Sequence, residues 1–367
     1  QNPALTMLNC SNNNLTELDL SQNSTLISLI CDNNTYSIAL IGGTFDLSTL
    51  PEGFDLSKAS NWTNATVDGN TLTVTNPKAD VTYTYDLGNE KTETFTLRPT
   101  SCTLTESMVK EIPEQVYTGS AVTPDVVLQY GEDTLKKDVD YTVSYTNNQH
   151  TGTGNAIITG KGIFSGTVTV PFGIGVAINE TTFPDENFRT YVKEKFDTTA
   201  DDILTVRELE QVTMIDVSDK EISDLTGVEY FTALQRLYCF NNNLTELDVR
   251  QNPKLDTLFC YENNLTALDL NQNPALTSLL CYKNTYSIAL TGGTFDLGTL
   301  PGTFDVSKAS DWKNATVDGS ILTVTDWNAD VTYTYDLGNG KTATFTLHPT
   351  SCTLTEEMVE AIPDQIY

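Results

Sequence analysis

Histidine is nearly absent: the chain has two in 367 residues, which removes most His-dependent catalysis and metal binding before any motif is sought. Cations are also scarce. Lys and Arg number 20 against 49 Asp and Glu, a formal charge of −29, so the basic footprint that nucleic acid or an anionic membrane surface requires is missing. No run of about 18 apolar residues exists to span a bilayer, so no membrane insertion is expected within this sequence. A Gly-rich phosphate loop, a Cys-x-x-Cys pair and a His-Glu-x-x-His motif are lacking too. No signal peptide is visible, but the chain opens on Gln1-Asn2-Pro3 inside a repeat, which leaves secretion undecided.

The chain copies itself. Residues 1–117 align without gaps onto 251–367 at an offset of 250, and 83 of those 117 positions are identical. Tyr36-Ser37-Ile38-Ala39-Leu40 returns at Tyr286 to Leu290, and Ser101-Cys102-Thr103-Leu104-Thr105-Glu106 at Ser351 to Glu356. The sequence is expected to be about one and a half turns of a 250-residue tandem unit, a piece of a longer repetitive protein. At roughly 150 residues per domain the length alone allows two to three domains, and more if the modules are small.

A shorter period of 21 sits inside the large one. Leu234, Leu237, Cys239, Asn242, Leu244, Leu247, Asp248, Val249 and Asn252 are followed at the same spacing by Leu255, Leu258, Cys260, Asn263, Leu265, Leu268, Asp269, Leu270 and Asn273. A third copy starts at Leu276, Leu279, Cys281 and Asn284 and then departs. The first unit keeps Leu5, Leu8, Cys10, Asn13, Leu15, Leu18, Asp19, Leu20 and Asn23, then Leu26, Leu29, Cys31 and Asn34. This resembles the leucine-rich repeats of bacterial cell-surface proteins, in their short 21-residue class. The resemblance implies a solenoid over 1–43 and another over 232–293, each coil holding a strand of about three residues and an inward apolar row. Cys10, Cys31, Cys239, Cys260 and Cys281 then fall in an inward slot and form a thiol column, while Cys102 and Cys352 are equivalent positions in successive units. Seven cysteines are therefore no sign of a disulfide framework.

Residues 176–231 read as a helical cap leading into the second solenoid, with a degenerate first coil from Ile215 to Gly227. Phe188, Tyr191, Val192 and Phe196 at helical spacing predict one amphipathic helix after Thr182 or Phe183. Between helix and coil, Asp197, Thr199, Asp201, Ile203 (by its carbonyl), Thr205 and Glu208 take the ligand positions of an EF-hand-like calcium loop. Asp202 replaces the glycine of the sharp turn and Thr199 replaces an acid. The loop is thus either a calcium site, the only cofactor the sequence suggests, or a vestige whose acids are solvated or cap the next helix.

Residues 44–100 and 294–350 are Thr-rich and alternate, with turns at Asp68-Gly69 and Gly88-Asn89, which predicts a small antiparallel meander closing each solenoid around Trp62 and Trp312. Residues 101–175 resemble bacterial immunoglobulin-like repeats in Tyr117-Thr-Gly119, Asp140-Tyr141-Thr-Val143-Ser-Tyr145 and Gly160-Lys-Gly162-Ile-Phe164. That implies a small β-sandwich, of which 351–367 are the first strand of a further copy. The expected class is mixed, mainly β.

Chemistry is thin. His348 stands where the other copy has Arg98, and His150 lies in a turn-forming stretch. Asp248 and Asp269 fall at equivalent coil positions, about one strand spacing apart, but on an open flank where a turn-stabilising role is expected. What remains is surface: beside each inward Cys, Tyr238 and Phe240, Phe259 and Tyr261, Leu280 and Tyr282 face outward as an aromatic double stripe, whereas the first solenoid has Asn9, Ser11, Ile30 and Asp32 there. The expected function is non-enzymatic binding or adhesion to a protein or glycan, by a bacterial protein that is secreted or displayed on the cell surface. A ligand-free stalk and the ancillary region of a carbohydrate-active enzyme are the alternatives.

Overall fold

The computed structural model describes residues 2–355. The chain forms two compact units. The first holds the residues up to Pro113 with Thr123–Asn148 and Thr153–Phe172; the second holds Glu114–Val122, Gln149–Gly152 and everything from Gly173.

In the second unit the leading cap starts where Asp185 stops the preceding chain: its carboxylate accepts from the N–H groups of Asn187 and Phe188 and opens the helix Glu186–Phe196, α1. Phe188 and Val192, one turn apart, are its buried side. A second helix, Val206–Gln211, begins with a capping box in which Thr205 and Glu208 bond each other's backbone N–H. The segment expected as a degenerate coil follows. Its strand Met214–Asp216 runs parallel to Arg236–Tyr238, then Thr257–Phe259, then Ser278–Leu280, with Ile215, Leu237, Leu258 and Leu279 in register. The next inward row, Val217, Cys239 and Cys260, is fully buried.

Beyond these short strands the ladder between coils gives out, and asparagine satisfies the backbone of the turns. Asn263 Nδ2 donates to the carbonyls of Cys239 (2.9 Å) and Cys260 (3.3 Å), and its Oδ1 accepts the Leu244 N–H at 3.0 Å. Asn242 and Asn284 repeat the arrangement one coil away on either side. This is why Asn recurs every 21 residues: a buried turn leaves donors and acceptors that only a short amide reaches.

The expected antiparallel meander is corrected. The closing cap is a seven-stranded mixed sheet whose middle is a parallel pair, Asn284–Thr291 with Lys341–Thr353. Lys341–Thr353 pairs antiparallel on its other side with Val331–Gly338, and Ala309–Lys313 follows. Alternation tells which residues face the core and says nothing of which strand is the neighbour. Tyr333, Tyr335 and Phe345 fill the inner face, and Trp312 stacks on Tyr333 at 4.5 Å. The Tyr333 hydroxyl donates to the Thr266 carbonyl at 2.6 Å, tying sheet to solenoid.

The first unit repeats this design: Leu8 and Leu29 in paired coil strands, a parallel pair between Thr35–Ile41 and Lys91–Thr103, Trp62 on Tyr83 at 4.5 Å, and the Tyr83 hydroxyl on the Thr16 carbonyl. To it belongs most of the immunoglobulin-like segment, with Tyr141–Thr146 antiparallel to Gly152–Gly160 and a tight hairpin at Gln129–Tyr130 and Asp133–Thr134. Of the stretch 351–367, residues 351–353 end the strand Lys341–Thr353, and 356–367 lie outside the described residues.

Candidate functional site

The parallel strands of the second solenoid alternate, so Leu237, Leu258 and Leu279 point inward and their neighbours outward. Tyr238, Phe259 and Leu280 stand in one register row, with Tyr238 and Phe259 centroids 5.1 Å apart. Two residues on, Phe240 and Tyr261 stack at 4.6 Å with planes 4° apart, and Tyr261 and Tyr282 at 4.8 Å and 7°. All six residues of the expected stripe are thus brought together. The stacking changes what the row can do: the faces of Tyr261 are covered by Phe240 and Tyr282, so the row presents ring edges, and Tyr282, 47% exposed, ends it. Leu280 is 38% exposed beside it. Acids flank the row. Asp219 accepts from the Asn241 amide, and Glu262 pairs with Lys283 at 2.7 Å. In the first solenoid the same positions place Asn9 and Asp32 in solvent with Ile30, and no aromatic row forms.

Behind the stripe, Cys239, Cys260 and Cys281 are buried and free. Burial pushes the Cys239 thiol far up; for Cys260 the contact with Cys281 adds to burial, and Cys31 in the first unit is pushed up to about 12 by burial and its contact with Cys10. A thiol so disfavoured as thiolate is inert. Native protein is therefore expected to leave Cys31, Cys102, Cys239, Cys260 and Cys281 unlabelled by thiol reagents until it unfolds, while the half-buried Cys10 and Cys352 react. Mass-spectrometric counting of labelled thiols checks this, and rapid labelling of Cys260 would contradict the inward slot.

The chain is 40% identical over 70 residues to internalin J of Listeria monocytogenes serotype 4b, and 33% to internalin J of serovar 1/2a. Over this stretch the chain is similar to the leucine-rich repeat internalins. Each match takes in 19% of this chain and spans 8% of the relative's length. No family model matches. Among solved structures, the functional domain of Listeria monocytogenes InlJ, described as including a cysteine ladder, is 38% identical over 30% of this chain and 24% of its own, with a TM-score of 0.28. A structure of the CBM51-2 and INT domains of Clostridium perfringens ZmpB is similar over 49% of this chain and 37% of its own, at 16% identity and a TM-score of 0.26.

The opposite flank of the internalin-like array corrects one expectation. Asp248 and Asp269 do not lie on a fully open surface; with Glu246 and Pro301 to Thr303 they line a shallow groove, and Asp224, Glu229 and Gln251 line the next one along. Burial pushes the Glu229 carboxyl up, whereas the Arg250 guanidinium holds Asp248 below the usual range. An acid beside a carboxylate is the pattern of a glycosidase. Here, though, Arg250 forks onto both oxygens of Asp248, at 2.9 and 2.7 Å, and Asp269 accepts from Asn271. Both oxygens of Asp248 are thus engaged by its own coil's cation, as in a turn-stabilising carboxylate.

In the leading cap, Asp202 makes the turn although it replaces the glycine. It takes φ +63°, the left-handed region that Asp tolerates better than most residues, and pairs with Lys193. Asp197 accepts the N–H groups of Asp201 and Asp202 and the Thr199 hydroxyl, and Asp201 that of Ile203. Glu208 takes N–H and hydroxyl from both Thr198 and Thr205. Burial would push the Glu208 carboxyl up, yet these four donors outweigh it and hold it low. Among the described residues no group of three or more His, Cys, Asp or Glu is placed to hold a metal ion. The cap should therefore melt alike in EDTA and in excess calcium, whereas Glu208→Ala should cost about 1–2 kcal/mol through its lost cap. A rise of several degrees with calcium would restore the ion.

Proposed function

We propose that this is a non-enzymatic bacterial binding protein, secreted or displayed at the cell surface, whose second solenoid holds a protein or glycan on the aromatic face. The reading rests on one observation: six large side chains, partly exposed, in two rows along and just past the parallel strands, at positions where the first solenoid has Asn9, Ser11, Ile30 and Asp32. Aromatic anchors give contact area at low entropy cost, and such a patch on a soluble surface is the usual mark of a partner. Frame kept and face altered is also how one scaffold serves different ligands. The likeness to internalin J supports a surface role, and no helix among the described residues is long and apolar enough to cross a membrane. The forked Asp248 speaks against an enzyme built on these coils.

The stack decides which substitution reads binding most cleanly. Tyr261 supports both neighbours, so removing it also costs stacking, about 0.5–1.5 kcal/mol per ring pair. Tyr282 ends the row. Tyr282→Ala is expected to weaken capture on glycan and extracellular-protein arrays by about tenfold or more, the scale of an interface anchor, with little change in Tm. Equal capture by Tyr282→Ala and by Phe259→Ala would remove the face from the function.

A further inference from the structure

The two closing caps share a sequence but not an environment. In the first unit the outer side of the sheet is covered by the immunoglobulin-like segment. Phe164 pairs with Cys102 along the edge of Lys91–Thr103, and the Cys102 and Leu104 N–H groups donate to the carbonyls of Ile163 and Ser165. The Tyr130 hydroxyl donates to the Val74 carbonyl at 2.7 Å, and its ring lies on Gly43, where even a Cβ would clash. Lys78 bonds Asp140 at 2.7 Å and sits over the Phe164 ring. Val74, Pro77, Cys102 and Leu104 are all buried as a result.

In the second unit the same positions are open. Leu354, the counterpart of Leu104, is 64% exposed; Val324 and Cys352 are half-buried; and a Cβ at Gly293 would meet nothing within 4 Å. One substitution makes this face more apolar: Trp327, 57% exposed, stands where the first copy has the buried Pro77. Asn328 replaces Lys78, so the cation that meets Asp140 has no counterpart.

We propose that the face formed by Val324, Trp327, Cys352 and Leu354 is a docking surface, and that its occupant is an immunoglobulin-like module of the kind that covers the first copy. The occupant is the module whose opening residues, Ser351 to Tyr367, repeat Ser101 to Tyr117 at 12 of 17 positions. The backbone edge and the glycine that admits Tyr130 are kept, which fixes the same seat; the loss of Lys78 and the gain of Trp327 replace an ion pair by apolar contact.

Thiol protection reads the seat directly. In the chain as it stands, Cys352 should react with iodoacetamide while Cys102 does not. Joining the chain's own residues 118–177 after Tyr367 completes the module, and should slow Cys352 labelling about tenfold or more, towards the rate of Cys102. Trp327 emission, taken as the difference from Trp327→Phe, should move to shorter wavelength. Unchanged labelling and unchanged emission would overturn the proposal, and so would an appended segment digested as fast as unfolded chain, since a seat must hold its occupant. In the unextended chain, Tyr130→Ala with Phe164→Ala should open Cys102 to the reagent; protection that survives both substitutions would show that the module is not what covers the cap.

Discussion

Replacing Asn263 by Ala should lower the unfolding free energy by about 1–3 kcal/mol, because the change leaves the Leu244 N–H buried without its partner, while the Cys239 and Cys260 carbonyls keep the amides of Asn242 and Asn284. No rearranged water reaches a site so enclosed; Asn263 is 4% exposed and its coil neighbours are fully buried. Asn243, one coil earlier and exposed, is the control: Asn243→Ala removes an amide that bonds nothing inside, and surface changes of this kind stay within about 0.5 kcal/mol. Urea titrations of the three proteins measure the difference. If Asn263→Ala and Asn243→Ala have equal midpoints, the amide row is not what seals the coils.

Stability should fall steeply above about pH 9–10. Tyr83, Tyr333 and Tyr130 are buried phenols whose ionisation burial pushes well above the ordinary value near 10, and burial with thiol contacts does the same to Cys239 and Cys260 relative to 9. The sign follows from which state holds its protons. The unfolded chain releases them first, so each group supports folding fully below its unfolded value and loses that support as pH rises towards its folded one. Each contributes a slope of up to about 1.4 kcal/mol per pH unit. For the second unit, with Cys239, Cys260 and Tyr333, that is about 4 kcal/mol per unit once pH exceeds 10. Urea midpoints at pH 8, 9, 10 and 10.5 trace the curve, and Tyr333→Phe should flatten its upper part. A flat profile to pH 10.5 would mean that these groups are open to water in the native state.

The most legible part of the molecule was the part built by short repetition. A period of 21 placed Leu237, Leu258 and Leu279 in one row, Cys239, Cys260 and Cys281 in the next and Asn242, Asn263 and Asn284 in the turns, because every coil must meet its neighbour in the same way. The six residues of the stripe followed from their places on either side of the inward Cys in each coil, three at the strand ends and three just past them. Helix α1 was legible for a similar reason, Phe188 and Val192 lying one turn apart. What failed was pairing at long range: the closing sheet was read as a meander, because alternation in Val331–Gly338 or Lys341–Thr353 is the same whichever strand lies beside it.

Sequence by itself determined the composition of the coils, the inward thiols, the outward aromatics and the near-absence of catalytic histidine, all of which depend on residues close in the chain or related by a fixed period. Only the tertiary structure decided that the rings of Phe240, Tyr261 and Tyr282 cover one another's faces, that Arg250 bonds both oxygens of Asp248, and that Leu104 is buried under the immunoglobulin-like segment. Those facts depend on distances between side chains whose directions are set by the packing of separate elements. Identical local sequence gives identical strands; whether Leu104 is buried or Leu354 exposed is settled by what the rest of the chain lays against them.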